Sequence, residues 1–279
     1  FMLGLAISPI LGGTLTDALG FRRAVQVCAF VSSMGLAVAL VALPETRPKG
    51  APMQDHRWEG LRLPRLSEAA GAWRQIGRRG LLAAYLYFIT FFVNGGVLMS
   101  TISLYLKQRW GDDVSVGGVL IGVASLAGLM LALRAVSGMV AGPVAGYLSD
   151  RLPSRWLVVR VSILLGVGGF ALLALVGAVW TVPAGVILVS FSAAALGTSL
   201  AALVGDLAAR DRQGVTMGAL ATAGDAGSAL GPLVAYWLAV AIDLRWLYLM
   251  SALLLASGLI LTMRQGKAPA RNTEPHQLE

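Results

Sequence analysis

Charged residues are scarce in this chain, and the scarcity excludes a soluble fold. Of its 279 residues only 13% are Asp, Glu, Lys or Arg, while 57% are hydrophobic. The mean hydropathy is +0.74. A soluble domain has about 25% charged residues with which to cover its surface. The composition therefore favours a protein whose solvent is a lipid bilayer.

Cysteine and histidine are rarer still, which excludes several kinds of site. The single cysteine, Cys28, cannot form an intramolecular disulfide, and no cysteine-based metal site is suggested. Both histidines, His56 and His276, lie outside the long apolar blocks, so no intramembrane Ser-His-Asp arrangement is visible. A Gly-x-x-x-x-Gly-Lys-Ser/Thr phosphate loop does not occur either. The sequence therefore predicts no metal, no cofactor and no enzymatic activity.

The apolar residues stand in long blocks instead of periodic patterns. Most blocks have about the 20 residues that a helix needs to cross a bilayer core of about 30 Å. They run near 1–16, 24–43, 81–106, 116–149, 161–180, 181–204, 214–242 and 246–263. These blocks predict an all-α polytopic membrane protein with eight transmembrane helices.

The basic residues, which give a net charge of +8, lie mainly in the short segments between the blocks. They concentrate in 44–80, 150–156 and 206–214 and in the tail after Met263, all on one side if the loops alternate. Because cytoplasmic loops are rich in Lys and Arg, we interpret them as topology determinants and not as a nucleic-acid surface. The C-terminus is expected in the cytoplasm, and the protein in the plasma membrane (the inner membrane of a Gram-negative bacterium).

The long loop divides the chain and carries a helical pattern of its own. Its apolar residues fall at helical spacing, which is the pattern of a short helix lying in the membrane interface. They are Leu66, Ala69, Ala70, Trp73 and Ile76. A solvated linker is the alternative. The predicted units are the last two helices of a first half at 1–46, a cytoplasmic linker at 47–80, a six-helix bundle at 81–263 and a cytoplasmic tail at 264–279.

An internal repeat relates the two parts. Segments 4–23 and 227–246 both begin with a glycine five positions before a proline, Pro9 or Pro232. An arginine follows each proline at the same distance, and one further apolar block comes after it. Duplicated halves of this kind are common in secondary transporters.

Three motifs resemble those of the major facilitator superfamily. "GLAISPILGG" is similar to the antiporter motif of its fifth helix: Gly4, Pro9, Gly12 and Gly13 match, and Ser8 replaces a glycine. "GYLSDRLPSR" is similar to the loop after its eighth helix. The matching residues there are Gly146, Asp150, Arg151 and Arg155, and Pro153 stands where a glycine is usual. "PETRP", at 44–48, often follows its sixth helix.

The resemblance implies a secondary transporter with two six-helix halves, of which this chain covers the fifth to the twelfth helix. The first four helices are absent on that alignment. The antiporter motif implies exchange of drugs for protons. The loop motif implies a cytoplasmic gate, where Asp150, Arg151, Arg155, Asp206, Arg210 and Arg212 are expected to form ion pairs. Anchoring to lipid headgroups is the alternative role for these charges.

Two charged residues lie deep within apolar blocks, Asp225 and Arg134. At 1.5 Å per residue they are about 18 Å and about 24 Å from the cytoplasmic face. Charges at such depth usually face the bundle interior or a cavity. Asp225 is a candidate for proton or cationic-substrate binding, for a fixed interhelical hydrogen bond, or for a wet vestibule. Arg134 is a candidate partner of Asp225, or binds backbone carbonyls or the absent half.

The helix around Asp225 has two different faces. Thr222, Asp225 and Ser228 are three residues apart and share a polar face. Gly227 and Gly231 form a small-x-x-x-small face suited to close helix packing, and Pro232 can kink the helix. We predict that one face packs and bends while the other lines a watery path.

A polar stripe marks the block at 81–106, which the resemblance identifies with the cavity-lining seventh helix. The stripe comprises Tyr87, Thr90, Asn94 and Thr101. It predicts substrate contacts, with ordinary packing as the alternative. Gly95 and Gly96, beside the stripe, are expected to loosen the helix.

Taken with the resemblance, these features predict a proton-driven exporter of small amphipathic or cationic organic molecules, a multidrug-type antiporter that works by alternating access. Its expected partners are membrane lipids, the substrate and protons, and a monomer is expected. Two alternatives remain open. One is an uptake porter for a polar metabolite within the same superfamily, and the other is a membrane receptor or scaffold that does not transport.

Overall fold

The computed structural model describes residues 2–42, 66–116, 118–175, 178–209 and 213–263. The "PETRP" segment, both histidines, Arg210, Arg212 and the tail lie outside these residues. The first part of the described chain comprises α1 (Met2–Leu19), α2 (Phe21–Ala42), α3 (Leu66–Phe91), a π-helical segment (Phe92–Leu98), α4 (Met99–Trp110) and the strands β1 (Asp113–Val116) and β2 (Val119–Gly122). It continues with α5 (Val123–Arg151), α6 (Arg155–Leu175), α7 (Thr181–Leu207), α8 (Gln213–Ala239) and α9 (Leu244–Met263).

Long apolar helices dominate the described residues. Six of these helical stretches are long and apolar enough to cross a membrane. They are Phe21–Ala42, Gly77–Trp110, Val123–Arg151, Arg155–Leu175, Thr181–Leu207 and Leu244–Met263. Of the other two predicted spans, α1 is a shorter apolar helix, and α8 is long but interrupted by small and polar residues. The prediction of an all-α polytopic membrane protein is confirmed.

The predicted block at 116–149 is wrong at its start, because a β-hairpin precedes the helix. β1 and β2 pair antiparallel with Val116 opposite Val119, and α5 begins only at Val123. Gly118 in the connection has φ +86°, a conformation that glycine adopts without strain. Two glycines between valine-rich segments are a hairpin signal, which the continuous hydrophobicity of the block conceals.

The helix predicted at 66–76 is present, but it is not a separate element. It forms the first part of α3 and bends at Gly77, where φ is 63° and ψ is −161°, into the first long span after the linker. Its position in the membrane interface stays a prediction, as does the division of the chain at residues 46 and 80.

The π-helical segment is the main irregularity inside a span. Met99 donates its backbone N–H to the carbonyl of Asn94, five residues earlier, instead of four as in an α-helix. Gly95 and Gly96 lie in this segment, where the loosened helix was predicted. Segments of this kind inside helices occur frequently at functional sites.

The core lies where α6, α7 and α9 meet α3, with Leu86, Ile163, Phe170, Leu196 and Tyr248 fully buried. Two further helix pairs position the polar residues. α1 runs along α5, and α8 runs along α3 and the π-helical segment. α2 packs mainly on α1 and otherwise exposes its apolar side chains, as a lipid-facing helix does.

Candidate functional site

A pocket of about 450 Å³ lies between α1, the π-helical segment, α5 and α7. Most of its wall is apolar. Its polar side chains come from four different elements, and they are Ser8, Asn94, Arg134 and Ser190. Pro9 and Phe91 also line it. The pocket therefore collects predicted residues from the antiporter motif, the polar stripe and the mid-membrane charges.

Arg134 is held in this pocket by Asn94. The Arg134 Nε donates a hydrogen bond of 2.9 Å to the Asn94 Oδ1. The Asn94 Nδ2 in turn donates to the Val189 carbonyl oxygen on α7 at 3.0 Å. Asn94 is only 3% exposed, so both of its polar atoms are committed to this chain of bonds. The guanidinium is thus oriented by two other elements.

The predicted pair between Arg134 and Asp225 is wrong. Arg134 bonds to Asn94, and no ion pair joins the two charges among the described residues. Asp225 lies on an exposed face of α8, where it has no hydrogen-bond partner within the described part of the chain. The interhelical hydrogen bond considered for Asp225 is therefore not observed there either.

The other polar residues of α8 lie on both sides of Asp225 along the helix. Thr222 is exposed and bonds to the Gly218 carbonyl oxygen of its own helix. Ser228 is half-buried, and its Oγ faces Gly95 of the π-helical segment. The predicted polar face is thus exposed at Thr222, and it packs against the π-helical segment at Ser228.

The predicted glycine face of α8 packs closely, and it meets backbone. A Cβ added at Gly231 would lie 2.5 Å from the Gly96 Cα and 2.6 Å from the Phe92 carbonyl oxygen. One added at Gly227 would overlap the Phe88 carbonyl oxygen. Pro232, inside α8, also faces Gly96. Small residues at these places allow α8 to approach the π-helical segment at backbone distance.

The polar stripe divides between the pocket and the core. Asn94 reaches the pocket, while Tyr87 packs on Gly224 of α8 and contacts Phe91 with ring centroids 4.7 Å apart.

Thr90 is buried and bonds to its own helix. Thr101 is buried too, bonded to the Val97 carbonyl and to the Tyr248 hydroxyl at 3.1 Å. Packing therefore explains the two threonines of the stripe.

The antiporter-type motif contributes to the pocket and to the contact of α1 with α5. Ser8 and Pro9 line the pocket, and a Cβ on Gly13 would overlap the Ala124 carbonyl oxygen of α5. Gly4 and Gly12, in contrast, have no described atom within 4 Å of an added Cβ. Only Gly13 of the three motif glycines is thus required by close packing in the described part of the chain.

Sequence reasoning missed Asp17, which holds the far end of the same contact. Its Oδ2 accepts a hydrogen bond of 2.6 Å from the Ser125 backbone N–H, in the first turn of α5. Gly122, the N-cap of α5, has no side chain of its own and lies directly against this carboxylate. An acid at a helix N-terminus satisfies a free N–H and the helix dipole. The only sequence signal is an acid at the end of an apolar block.

The loop motif forms a small ion-pair cluster at the ends of α5, α6 and α7. The Arg155 Nε lies 2.8 Å from the Asp206 Oδ2, and its Nη1 lies 3.1 Å from the Asp150 Oδ1. Arg151 instead stacks on the Tyr147 ring, 4.3 Å from its centroid. A Cβ added at Gly146 would lie 3.6 Å from the Thr198 methyl group on α7, which is an ordinary van der Waals distance. Exposed pairs of this kind are worth about 0–1 kcal/mol each.

Comparison with known families identifies the fold. The family model of the Major Facilitator Superfamily matches residues 1–136 and again residues 124–278. The chain belongs to this superfamily. It is a membrane transporter that contacts lipid and acts on a small molecule, and it is not an enzyme.

The fold is shared with a solved structure described as a bacterial homolog to human lysosomal transporter, Spinster, in an inward-facing and occupied conformation. That structure is similar over 96% of this chain and 70% of its own, with 15% identity and a TM-score of 0.58. The inward-facing and unoccupied form covers 94% of this chain and 64% of its own, with 15% identity and a TM-score of 0.48. No curated protein matches the chain by sequence.

Proposed function

We propose that the protein exports small amphipathic organic molecules in exchange for protons, by alternating access. The observation that carries the proposal is the pocket, which Ser8 and Pro9 of the antiporter-type motif line together with Arg134 and Asn94. In the predicted division, α1 belongs to the first half of the transporter and α5 to the second. A site walled by both halves opens to one side or the other when the halves rock.

The pocket suits an amphipathic molecule because its wall combines a mostly apolar surface with a charged side chain. Phe91, Met99, Leu131 and Met139 offer apolar and adaptable surface, while Arg134 offers one charged contact. Pockets for small molecules typically combine an apolar lining with a few placed polar groups. A polar metabolite would need more hydrogen-bonding partners than the described wall provides.

Asp225 is the proposed proton site. It lies near the middle of α8 and is exposed on the face that carries Thr222, without a partner among the described residues. A carboxylate at that depth is costly unless it faces a cavity or takes up a proton. Binding and release of one proton would therefore change the free energy of exposing this face of α8.

The orientation, the plasma membrane and the monomeric state belong to the same proposal. The distribution of Lys and Arg supports a cytoplasmic location of the basic loops and of the C-terminus. In this orientation the contact between Asp17 and Ser125 lies at the outer face, and the ion pairs of Arg155 lie at the cytoplasmic face.

Inside-out vesicles test the proposal directly. With the protein expressed from its full reading frame and the lumen made acidic, we expect uptake of fluorescent amphiphiles that a protonophore abolishes. Asp225→Asn should reduce gradient-driven uptake by about tenfold or more, since proton relays within a membrane depend on such acids. Asp113→Asn is the matched control, because Asp113 is an acid of the exposed hairpin.

Protonophore-sensitive uptake that survives Asp225→Asn would remove the proton role from Asp225. No gradient-driven uptake of any amphiphile, despite confirmed insertion of the protein in the membrane, would contradict proton-driven export and favour the metabolite porter.

A further inference from the structure

Among the described residues, Arg134 is the one charged side chain in the wall of the pocket. The remaining described lining is apolar, or it carries a hydroxyl or an amide. The ion pairs within the described chain involve Lys107 and Arg155, so no carboxylate within it neutralises Arg134. A guanidinium stays protonated in proteins. The pocket therefore presents a permanent positive charge beside an apolar surface.

The two terminal nitrogens of the Arg134 guanidinium form a fork that is available to a ligand. The Nε of Arg134 already donates a hydrogen bond to Asn94, and Asn94 is held in turn by its hydrogen bond to the Val189 carbonyl oxygen. The two terminal nitrogens have no hydrogen-bond partner among the described residues. Terminal guanidinium N–H groups in a fixed plane match the paired oxygens of a carboxylate, sulfate or phosphate. Because two other elements hold the plane, little ordering is left for the ligand to impose.

We infer that the pocket binds the oxyanion head of an amphiphile on Arg134 and its tail on the apolar wall. The head is a carboxylate, sulfate or phosphate, and the body is hydrocarbon or aromatic. The inference narrows the substrate class of the proposed function and rests on it for transport. It departs from the expectation of cationic substrates, since a cationic head would be repelled by Arg134 and would find no acid in the described wall.

The neighbouring residues fit a ligand that has an anionic head and an apolar tail. Phe91 and Leu131 line the same pocket as Arg134, and Met99 and Met139 add flexible thioethers that adapt to tails of different shape. Ser8 also lines the pocket, and its hydroxyl can donate to an oxyanion, whereas the Ser190 hydroxyl donates to the Val186 carbonyl oxygen of its own helix. Asp225, on another helix face, does not form an ion pair with Arg134 and leaves the fork free.

The test compares three fluorescent single-chain amphiphiles that share one tail and differ only in the head, which is sulfate, hydroxyl or trimethylammonium. Binding is measured at equilibrium, without a gradient, on the full-length protein in phosphatidylcholine nanodiscs. We expect the sulfate probe to bind about tenfold tighter than the hydroxyl probe, as a charge-assisted bond implies. The trimethylammonium probe should bind weakest.

Variants of Arg134 test whether the preference for the sulfate probe depends on its guanidinium. Arg134→Gln should remove it, whereas Arg134→Lys should keep a part, because a point charge attracts the anion without matching its paired oxygens. Arg245→Gln, an exposed position at the start of α9, is the control and should leave the preference intact. If Arg134→Gln fails to fold, the preference of the wild type and its reduction in Arg134→Lys still decide the matter.

A second arm separates a soluble substrate from a lipid headgroup. Adding phosphatidylglycerol to the nanodiscs displaces the sulfate probe if an anionic lipid occupies the fork, and it has no effect if the site selects single-chain molecules. Both results support an oxyanion site. Equal binding of the three probes, or tighter binding of the cationic one, overturns it. A preference for sulfate that depends on Arg134, without any gradient-driven uptake, would instead contradict the proposed function and leave this inference standing.

Discussion

Gly231→Ala is expected to lower the melting temperature of the protein strongly and to abolish its transport. The added Cβ would lie 2.5 Å from the Gly96 Cα and 2.6 Å from the Phe92 carbonyl oxygen. Both are backbone atoms, so no side chain can rotate away to make room. Overpacking in a rigid interior typically costs about 1–3 kcal/mol, and here the helices themselves must separate. Thermal unfolding in detergent, followed by fluorescence, measures the loss of stability.

Gly218→Ala, on the same helix, is the matched control for this prediction. No described atom lies within 4 Å of an added Cβ at Gly218. Alanine also favours the helix by about 1 kcal/mol relative to glycine. The control should therefore melt at or above the wild-type temperature. Equal melting temperatures for the two variants would show that α8 does not pack on the π-helical segment in the way described.

The second large effect concerns the contact between α1 and α5. Gly13→Ala would drive a methyl group into the Ala124 carbonyl oxygen, and Gly128→Ala would do the same to the carbonyl oxygen of Pro9. Either change should force α1 away from α5 and open the wall that Ser8 and Pro9 contribute to the pocket. We expect amphiphile uptake in vesicles to fall by about tenfold or more, since displacements of about 1 Å in a binding site can cost 100-fold.

Gly12→Ala distinguishes this interface from a general sensitivity of the motif. Gly12 is adjacent in sequence, but an added Cβ meets no described atom within 4 Å. If only resemblance to the antiporter motif mattered, both variants would lose uptake. The packing account requires Gly13→Ala to fail and Gly12→Ala to transport at close to the wild-type rate, at equal amounts of protein in the membrane.

The transmembrane architecture was predictable because the bilayer imposes a length and a composition on each span. Blocks of apolar residues indicate helices, since a spanning chain must satisfy its own backbone hydrogen bonds. The close packing of Gly227 and Gly231 followed from their spacing, and Gly95 and Gly96 indicated the irregular segment. These features are local, and each is visible within a few residues of sequence.

The partners of the polar residues were not predictable in the same way. Charge complementarity alone favoured Arg134 with Asp225, yet the packing brings Asn94, from the π-helical segment, to Arg134. Asn94 was a candidate because it lies on a polar stripe, but nothing local indicates its bond to Val189 on α7. Asp17 likewise acquires its role only because α1 ends beside the first turn of α5. Such contacts depend on which helices are neighbours.

The central claim is that amphiphile and proton move in opposite directions through one protein, and proton movement tests it most directly. The purified full-length protein is reconstituted in vesicles with an acidic lumen and a pH-sensitive dye inside. The account predicts that adding the amphiphile outside makes the lumen more alkaline as the probe accumulates, and that Asp225→Asn removes both signals together. Accumulation of the probe while the luminal pH stays unchanged would contradict exchange.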